Sequence, residues 1–340
     1  MKAVIFHGTE ELELAALADP VVEADDDAIV RVRAAGLCGS DLHPYFGRER
    51  GLDPGTVMGH ELVGEVVETG PDVSRFKPGD RVAAPFSTCC AACGACRRDL
   101  PSRCDRGQLF GWVENGVGLQ GVQAEFARVP LADTTLVHVP AELDDGMAVL
   151  AADILPTAAF AVELAGVCDG GSLAIIGCGP VGLLAAFVAR RRGVRALSVD
   201  INPDRSKLAT RFGAREATDP EAAAAEGRAF DAVIDAAGTA AASRLAYSLV
   251  RPGGAVAAVA VNTDPHLAIS PSELYDRNVT YRTGRCPARR YMEWALEVLE
   301  ADDGTLASLV SHRLPLTEAI RAYRAFGSGK VGWRKVVLIP

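Results

Sequence analysis

The sequence predicts a two-domain α/β protein, with a mainly β first third followed by a doubly wound parallel sheet. Three observations carry that expectation. The chain has 340 residues, which at roughly 100–200 residues per domain makes two domains. The first third holds short stretches where apolar and polar residues alternate, as in half-buried strands. From about Asp153 onward, short apolar runs alternate with Ala-rich helical stretches, the pattern of βαβ units around a parallel sheet.

Taken in order, residues 28–35 (AIVRVRAA), 62–69 (LVGEVVET) and 81–84 (RVAA) read as strands, each near Gly or Pro punctuation such as Lys77-Pro78-Gly79-Asp80. In the second part, strands are expected at 173–176, 196–199 and 232–234. A further strand at 255–261 is expected to follow the turn Arg251-Pro252-Gly253-Gly254. The Ala/Glu stretch 221–226 reads as a helix, as do residues 291–299 and 317–326, and 335–339 closes the chain as a strand.

Composition removes several function classes. A hydrophobic fraction of 49% with 23% charged residues excludes a disordered, collagen-like or coiled-coil chain. With 44 acids against 35 bases the formal charge is −9, and no basic stripe suits a nucleic-acid backbone. The longest basic run, residues 190–192, falls where a helix ends and complements its dipole. The opening MKAVIFHGTEELEL carries acids and no long apolar core, unlike a signal peptide. The most apolar stretch is read as residues 172–188. It is broken by Gly177, Gly179, Pro180 and Gly182, which makes it a poor membrane span. A cytoplasmic protein without membrane or nucleic-acid partners is the expectation.

Gly177-Cys178-Gly179-Pro180-Val181-Gly182 fits G-x-G-x-x-G. Alone that pattern is weak, because glycine-rich turns are common. Its setting strengthens it: an expected strand precedes it, an apolar helix over 183–192 follows, and a second strand ends at Asp200. Gly177 would permit a tight turn, Gly179 would let backbone approach a pyrophosphate, and Gly182 would let helix and strand pack closely. The pyrophosphate would sit at the helix N-terminus, where free N–H groups and the dipole favour negative charge. Asp200 would accept from the adenosine ribose hydroxyls and repel a 2′-phosphate. Ile201 follows instead of an arginine, so NAD is expected over NADP. A doubly wound domain without nucleotide is the bland alternative.

Five of the nine cysteines, Cys89, Cys90, Cys93, Cys96 and Cys104, fall in one window, while Cys38, Cys168, Cys178 and Cys286 are scattered. In a large chain with no secretion signal such a cluster suggests metal before disulfide. Cys90, Cys93, Cys96 and Cys104 give C-x2-C-x2-C-x7-C. Four thiolates close a tetrahedron around zinc with no open position, so the site would be structural. Cys89 could replace Cys90 at longer spacing, and reduced cysteines or a disulfide are the other reading.

Cys38 lies in Gly36-Leu37-Cys38-Gly39-Ser40-Asp41-Leu42-His43, and His60-Glu61 in Met58-Gly59-His60-Glu61. Read locally, a lone Cys and a lone His are more often packed than metal-bound. In combination, however, the motifs Cys38-Gly39-Ser40-Asp41, Gly59-His60-Glu61, the four-cysteine stretch and Gly177–Gly182 resemble the zinc-dependent medium-chain dehydrogenases of the alcohol dehydrogenase type, over essentially the whole chain.

That resemblance implies a GroES-like catalytic domain over 1–153, a Rossmann NAD-binding domain over 154–286, and a C-terminal segment 287–340 that completes the first. It implies one catalytic and one structural zinc, with the active site in the cleft. The catalytic ligands would be Cys38, His60 and a third residue just before the cofactor domain. In the stretch 151–157 (AADILPT) Asp153 is the only candidate. An aspartate there is similar to bacterial secondary-alcohol and formaldehyde-handling members, whereas polyol members tend to have glutamate. Two negative ligands would balance the dication, leaving a fourth position for water or the substrate oxygen. Zinc would lower the alcohol's pKa, and the carbon would give hydride to the nicotinamide.

Ser40 matches the family's relay hydroxyl, and His43 its outer proton acceptor, a task that suits a neutral histidine. The bland readings are a turn-capping Ser40 and a surface His43. Glu61 matches a carboxylate that supports or briefly coordinates zinc, or is simply a satisfied acid behind it. Thr157 matches a residue beside the nicotinamide, and Val259 and Val261 match backbone contacts to the carboxamide. Ala260 stands between them where many such proteins have glycine. Arg334, or Lys335 in its place, would reach the pyrophosphate. Pro180 and Val181 would contribute backbone to the cofactor cradle. Met58, Phe110, Trp112 and Ile154 are either apolar pocket lining or core.

The expected reaction is reversible interconversion of an alcohol with an aldehyde or ketone using NAD, by a homodimer or homotetramer acting on a small molecule. The same apparatus serves a polyol or sugar dehydrogenase. It also serves an aldehyde dismutase that retains NAD, to which residues 154–156 and Cys286-Pro287 are faintly similar. A non-catalytic nucleotide-binding zinc protein is the alternative from another class. The joint presence of Cys38, His60, Asp153, Ser40 and His43 argues against such decay.

Overall fold

The computed structural model describes residues 1–226, 230–330 and 332–340. It divides into two compact units, residues 1–156 with 287–340, and residues 157–286. The first break lies a little beyond the expected 153/154, because the opening turn of the Ile154–Ala165 helix packs with the first unit.

The first unit is built on a seven-stranded sheet. Its central strand, Ala28–Leu37, pairs antiparallel with Leu62–Thr69, with Phe126–Val129 and with the C-terminal strand Lys335–Ile339. The alternation seen in sequence holds where the strand meets solvent: Arg31 and Arg33 point out while Val30 and Val32 are buried. Beyond Arg33 the strand is buried on both faces and continues to Leu37, further than alternation alone indicates. One apolar cluster lies under this sheet, among them Val30, Val66, Val82, Phe110 and Leu136. A second joins Leu37, Met58, Tyr45, Tyr323 and Val336. Met58, Phe110 and Ile154 are almost fully buried, so they are core, and Trp112 packs partly buried against the second cluster.

The second unit is a six-stranded parallel sheet, in the order Glu216–Thr218, Arg195–Val199, Ser172–Ile176, Phe230–Asp235, Val250–Ala258, Thr280–Thr283. The first strand in sequence, Ser172–Ile176, sits between Arg195–Val199 and Phe230–Asp235. Chain order reverses there, and such a switch point is where open α/β sheets bind ligands. The edge strands Glu216–Thr218 and Thr280–Thr283 are short and partly exposed, and their polar composition hides them from a hydrophobic reading.

One expectation needs correction. Residues 251–254 do not form a turn before a strand at 255–261. One strand runs Val250–Ala258, and its pairing with Phe230–Asp235 slips between Phe230 and Ala232 to absorb the Pro-Gly-Gly as a bulge. A Cβ on Gly254 would lie 2.7 Å from the Asp231 carbonyl oxygen, so the backbones meet too closely there for a side chain. Val259, Ala260 and Val261 therefore lie past the strand's end. Among the described residues, Asp145–Ala165 is the helical stretch long and apolar enough to cross a membrane by composition, and its most apolar window is 72% buried in the fold. That burial is the property of a core helix.

Candidate active site

Register on the large sheet builds the first cluster. Ala28–Leu37 ends where Cys38 begins, and its partner Leu62–Thr69 starts just after His60-Glu61, with Ala35 opposite Leu62. The Gly36 N–H donates to the Glu61 carbonyl at 3.0 Å and closes the pair. Val336 lies opposite Leu37, which brings Lys335 to the same corner. Asp153 arrives from the segment between Val149–Ala151 and the Ile154–Ala165 helix. Residues far apart in sequence thus converge, and one ligand atom each from Cys38, His60, Glu61 and Asp153 lies within 4.8 Å of all the others.

Local bonds aim these groups. Asp41 Oδ2 accepts from the Cys38 N–H at 2.8 Å. Asp41 Oδ1 lies 3.0 Å from His60 Nδ1, which leaves Nε2 toward the cluster. Cys38 Sγ is 3.4 Å from Asp153 Oδ2, and His60 Nε2 is 3.8 Å from the same oxygen. Ser40 Oγ stands 3.2 Å from His60 Nε2. Glu61 is also engaged from behind: its Oε2 accepts a hydrogen bond from Lys335 Nζ, which also donates to the Leu37 carbonyl at 3.3 Å. Both side chains are buried. A Cβ on Gly36 would fall 1.6 Å from Glu61 Oε2, so glycine is required beside this pair. Lys335 is therefore a partner of Glu61, not a surface cation free to meet a pyrophosphate.

The electrostatics ask for a cation. Burial, and next the Asp153 charge, push the Cys38 thiol up. Burial works against a charged His60, yet Asp41 and the hydrogen bonds to Asp153 and Asp41 hold its pKa well above the ordinary histidine value. Burial likewise opposes the Lys335 charge, and Glu61 outweighs it and raises the pKa. Protons are thus held tightly where a dication fits. Thiolate, imidazole and carboxylate at these separations are a zinc donor set, for which edges of a tetrahedron measure about 3.3–3.8 Å.

Cys90, Cys93, Cys96 and Cys104 form a second group, again with ligand atoms within 4.8 Å of one another. Cys93 and Cys104 sulfurs are 3.9 Å apart, close to the roughly 3.8 Å expected between zinc-bound sulfurs. Backbone N–H groups of Cys90, Cys93, Cys96 and Arg106 point at sulfurs at 3.2–3.5 Å. The Cys96 N–H, and next that of Asp105, pull Cys93 down to about 6, and the Ala92 N–H lowers Cys90, while burial pushes Cys96 and Cys104 up. Cys89 stands apart, its thiol donating to the Thr134 carbonyl at 3.3 Å. The close group thus contains Cys90 and not Cys89.

In the second unit, Gly177 has φ +93°, and a Cβ on Gly182 would lie 1.8 Å from the Gly177 carbonyl oxygen. A Cβ on Gly179 would meet nothing within 4 Å, so space lies open in front of that backbone. The helix Pro180–Arg191 starts there with proline in its first turn, and Leu183 to Ala189 are buried. These features fit a dinucleotide cradle. Asp200 is more heavily engaged than its sequence position suggests. Oδ2 accepts from the Cys178 N–H at 2.7 Å, and Oδ1 accepts from the Asn202 N–H and from Arg205 Nε and Nη2. Asn202 caps the Pro203–Arg211 helix and so sets Arg205 in its first turn, facing Asp200.

The remaining candidates are placed as follows. Thr157 is buried in the Ile154–Ala165 helix. Val259 donates to the Asp235 carbonyl at 3.2 Å, and Val261 is exposed. Arg334 Nη2 donates to the Ser308 carbonyl at 3.0 Å. His43 lies in the one-turn helix Leu42–Tyr45, with no hydrogen bond to its buried Nδ1. Burial, and next Arg48, lower its pKa, which keeps it neutral. Sequence reasoning missed the roles of Asp41, Arg205 and Lys335. Only Asp41 carried a local signal, a carboxylate three residues after Cys38.

Residues 24–141 match the alcohol dehydrogenase GroES-like domain family, and residues 180–301 the zinc-binding dehydrogenase family. The chain is 35% identical to zinc-type alcohol dehydrogenase B of Aspergillus flavus, over 97% of this chain and 80% of that protein. It is 33% identical to the NADP-dependent isopropanol dehydrogenase of Thermoanaerobacter brockii, over 84% of each. Among solved structures it is similar to alcohol dehydrogenase TADH from Thermus sp. ATN1, with a TM-score of 0.91 and 36% identity, covering 100% of this chain and 99% of that one. A Cys/His/Asp donor set at the sheet corner, a four-cysteine loop and a glycine-rich switch point agree with these likenesses, and the chain belongs to the zinc-dependent medium-chain dehydrogenases as a zinc-dependent alcohol oxidoreductase.

Proposed function

We propose that this protein is an NAD-dependent alcohol dehydrogenase in which Cys38, His60 and Asp153 hold the reactive zinc and Cys90, Cys93, Cys96 and Cys104 hold a structural one. The observation that carries the reading is the tie between Glu61 and Lys335. Glu61 stays within the group but is engaged through Oε2 by Lys335, so Cys38, His60 and Asp153 are the donors left for the ion, and three protein ligands leave a position for a substrate oxygen. When bound, zinc supplies Lewis acidity that eases loss of the alcohol proton, and the nicotinamide supplies the hydride acceptor.

This chain's residues do the rest. Asp41 orients His60, and Lys335 pairs with Glu61, opposing the burial that raises the Glu61 pKa. Ser40, within 3.2 Å of His60 Nε2, is the hydroxyl placed to receive the alcohol proton. His43, held neutral, is the acceptor that carries it outward. Gly177, Gly179, Pro180, Val181 and Gly182 cradle the pyrophosphate, and Asp200 meets the adenosine ribose with Arg205 beside it. On the family resemblance Thr157, Val259, Val261 and Arg334 complete the cofactor contacts. A homodimer or homotetramer in the cytoplasm completes the proposal on the same ground.

NAD is preferred because the Asp200 carboxylate disfavours a 2′-phosphate, although Arg205 partly offsets its charge. The test is reduction of NAD and of NADP by primary and secondary alcohols, with chelator-treated enzyme as control and zinc counted per chain. Chelator-sensitive turnover with NAD and two zinc ions is the expected result. Turnover with NADP alone, or one zinc per active chain, would sink the corresponding part.

A further inference from the structure

Behind the reactive cluster the buried polar chain does not stop at Asp41. Gln123, fully buried, donates from Nε2 to the Gly36 carbonyl at 3.2 Å and lies 3.5 Å from Asp41 Oδ2. Its Oε1 accepts from the Tyr323 hydroxyl at 2.9 Å. Tyr323 is fully buried in the Ala319–Gly327 helix of the C-terminal segment, with its ring 5.4 Å from that of Tyr45. The amide is also held sterically. Gly59, at φ +90°, lies so close that a Cβ there would come within 2.3 Å of Gln123 Cγ. Three chain segments distant in sequence therefore meet on one amide directly beneath Gly59-His60 and Gly36–Cys38.

We propose that Gln123 and Tyr323 are positioning residues of the reactive metal site, acting through Asp41 on His60. The physical reason is satisfaction. A buried amide oxygen costs free energy if left without a donor, and the Tyr323 hydroxyl supplies that donor. So anchored, the amide presents Nε2 to Gly36 and to Asp41. Asp41 is held from that side and by the Cys38 N–H, and in turn fixes the His60 tautomer with Nε2 toward the metal. Groups that orient a ligand from behind typically change metal affinity by about 10–100-fold. The C-terminal helix would thus steady a ligand of the N-terminal segment without touching substrate or metal.

This inference rests on the proposed reactive zinc site, and the experiment separates the two. Release of each zinc from the two-zinc protein to a chromophoric chelator is timed in wild type, Y323F, Q123M and the double variant. The reactive-site ion is identified as the one that C38S lacks. Expected is about 10–100-fold faster release of that ion in each single variant, with the four-cysteine ion unchanged. The double variant should release no faster than Q123M, because Tyr323 acts through Gln123. Cobalt placed in the reactive site should show shifted visible bands in Y323F. Unchanged release in both single variants, parallel loss of both ions, or additive effects in the double variant would overturn the positioning role. A C38S protein that keeps both ions would overturn the metal site itself, and this inference with it. If Y323F does not fold, Q123M and Q123N carry the same comparison.

Discussion

The two cysteine-bearing clusters of the first unit gather their donors in opposite ways. Cys90, Cys93, Cys96 and Cys104 come from one loop whose own backbone N–H groups turn back onto the sulfurs. Cys38, His60 and Asp153 come from separate segments, and only strand register brings them together. The first group is uniform and closed. The second mixes thiol, imidazole and carboxylate, has a hydroxyl at its edge, and is backed by a buried ion pair. On the proposed assignment, a loop that metal would hold in shape and a corner that would hold metal for chemistry are told apart by where their geometry comes from.

The sharpest break of that comparison is C38S. It should lower kcat/KM by about a thousandfold or more, the scale of several kcal/mol of lost Lewis-acid stabilisation, while the melting temperature moves little. An active C38S enzyme would place the chemistry elsewhere. Next is K335M, which strands Glu61 as a buried unpaired charge and should cost about 3–5 kcal/mol of stability. Denaturant unfolding of K335M against E61Q/K335M reads this directly, with the double variant recovering most of the loss. C93S should instead remove one zinc and about 3 kcal/mol, lowering Tm by about 6–12 °C. Calorimetry with metal counting checks it, and an unchanged Tm would make the loop's metal dispensable.

Two smaller effects sharpen the cofactor and proton readings. D200A should raise the NADP-to-NAD ratio of kcat/KM by about 10–100-fold, since one charge contact to a ribose or phosphate is worth roughly 1.5–3 kcal/mol. R205A should lower the same ratio. Smallest is the pH response of His43. Its folded pKa lies below the ordinary 6.5, so the neutral form is favoured in the fold. Its contribution to stability is therefore present above 6.5 and is lost as pH falls through that value toward the folded pKa. Proton acceptance fails over the lower part of the same range. H43Q should flatten the acid limb of kcat and lower its plateau by about tenfold. An acid limb unchanged in H43Q would assign it to another group.

Legibility followed locality. The four-cysteine loop, the glycine-rich turn and the Leu62–Thr69 and Lys335–Ile339 strands are written in contiguous residues, so spacing and alternation sufficed. Cys38, His60 and Asp153 were singled out because their motifs resemble a family, since nothing local in a lone Cys or His distinguishes ligand from core. Lys335 reads as an ordinary strand-flanking lysine. Only the pairing of Val336 with Leu37 buries it against Glu61. Arg205 reads as a helix-surface arginine until the Asn202 cap orients it toward Asp200. The Pro-Gly-Gly at 252–254 reads as a turn, because a bulge is defined by its partner strand.

Sequence alone determined the two-part α/β plan, the four-cysteine motif, the glycine fingerprint and the family. Each depends on residues within one turn or one strand of each other, or on motif order along the chain. Tertiary structure decided which cysteine stays out of the loop, that Glu61 is tied to Lys335, and that Gln123 and Tyr323 stand behind Asp41 and His60. These are contacts between segments up to 274 positions apart. Their partners are chosen by sheet register and burial, which no short stretch of sequence contains.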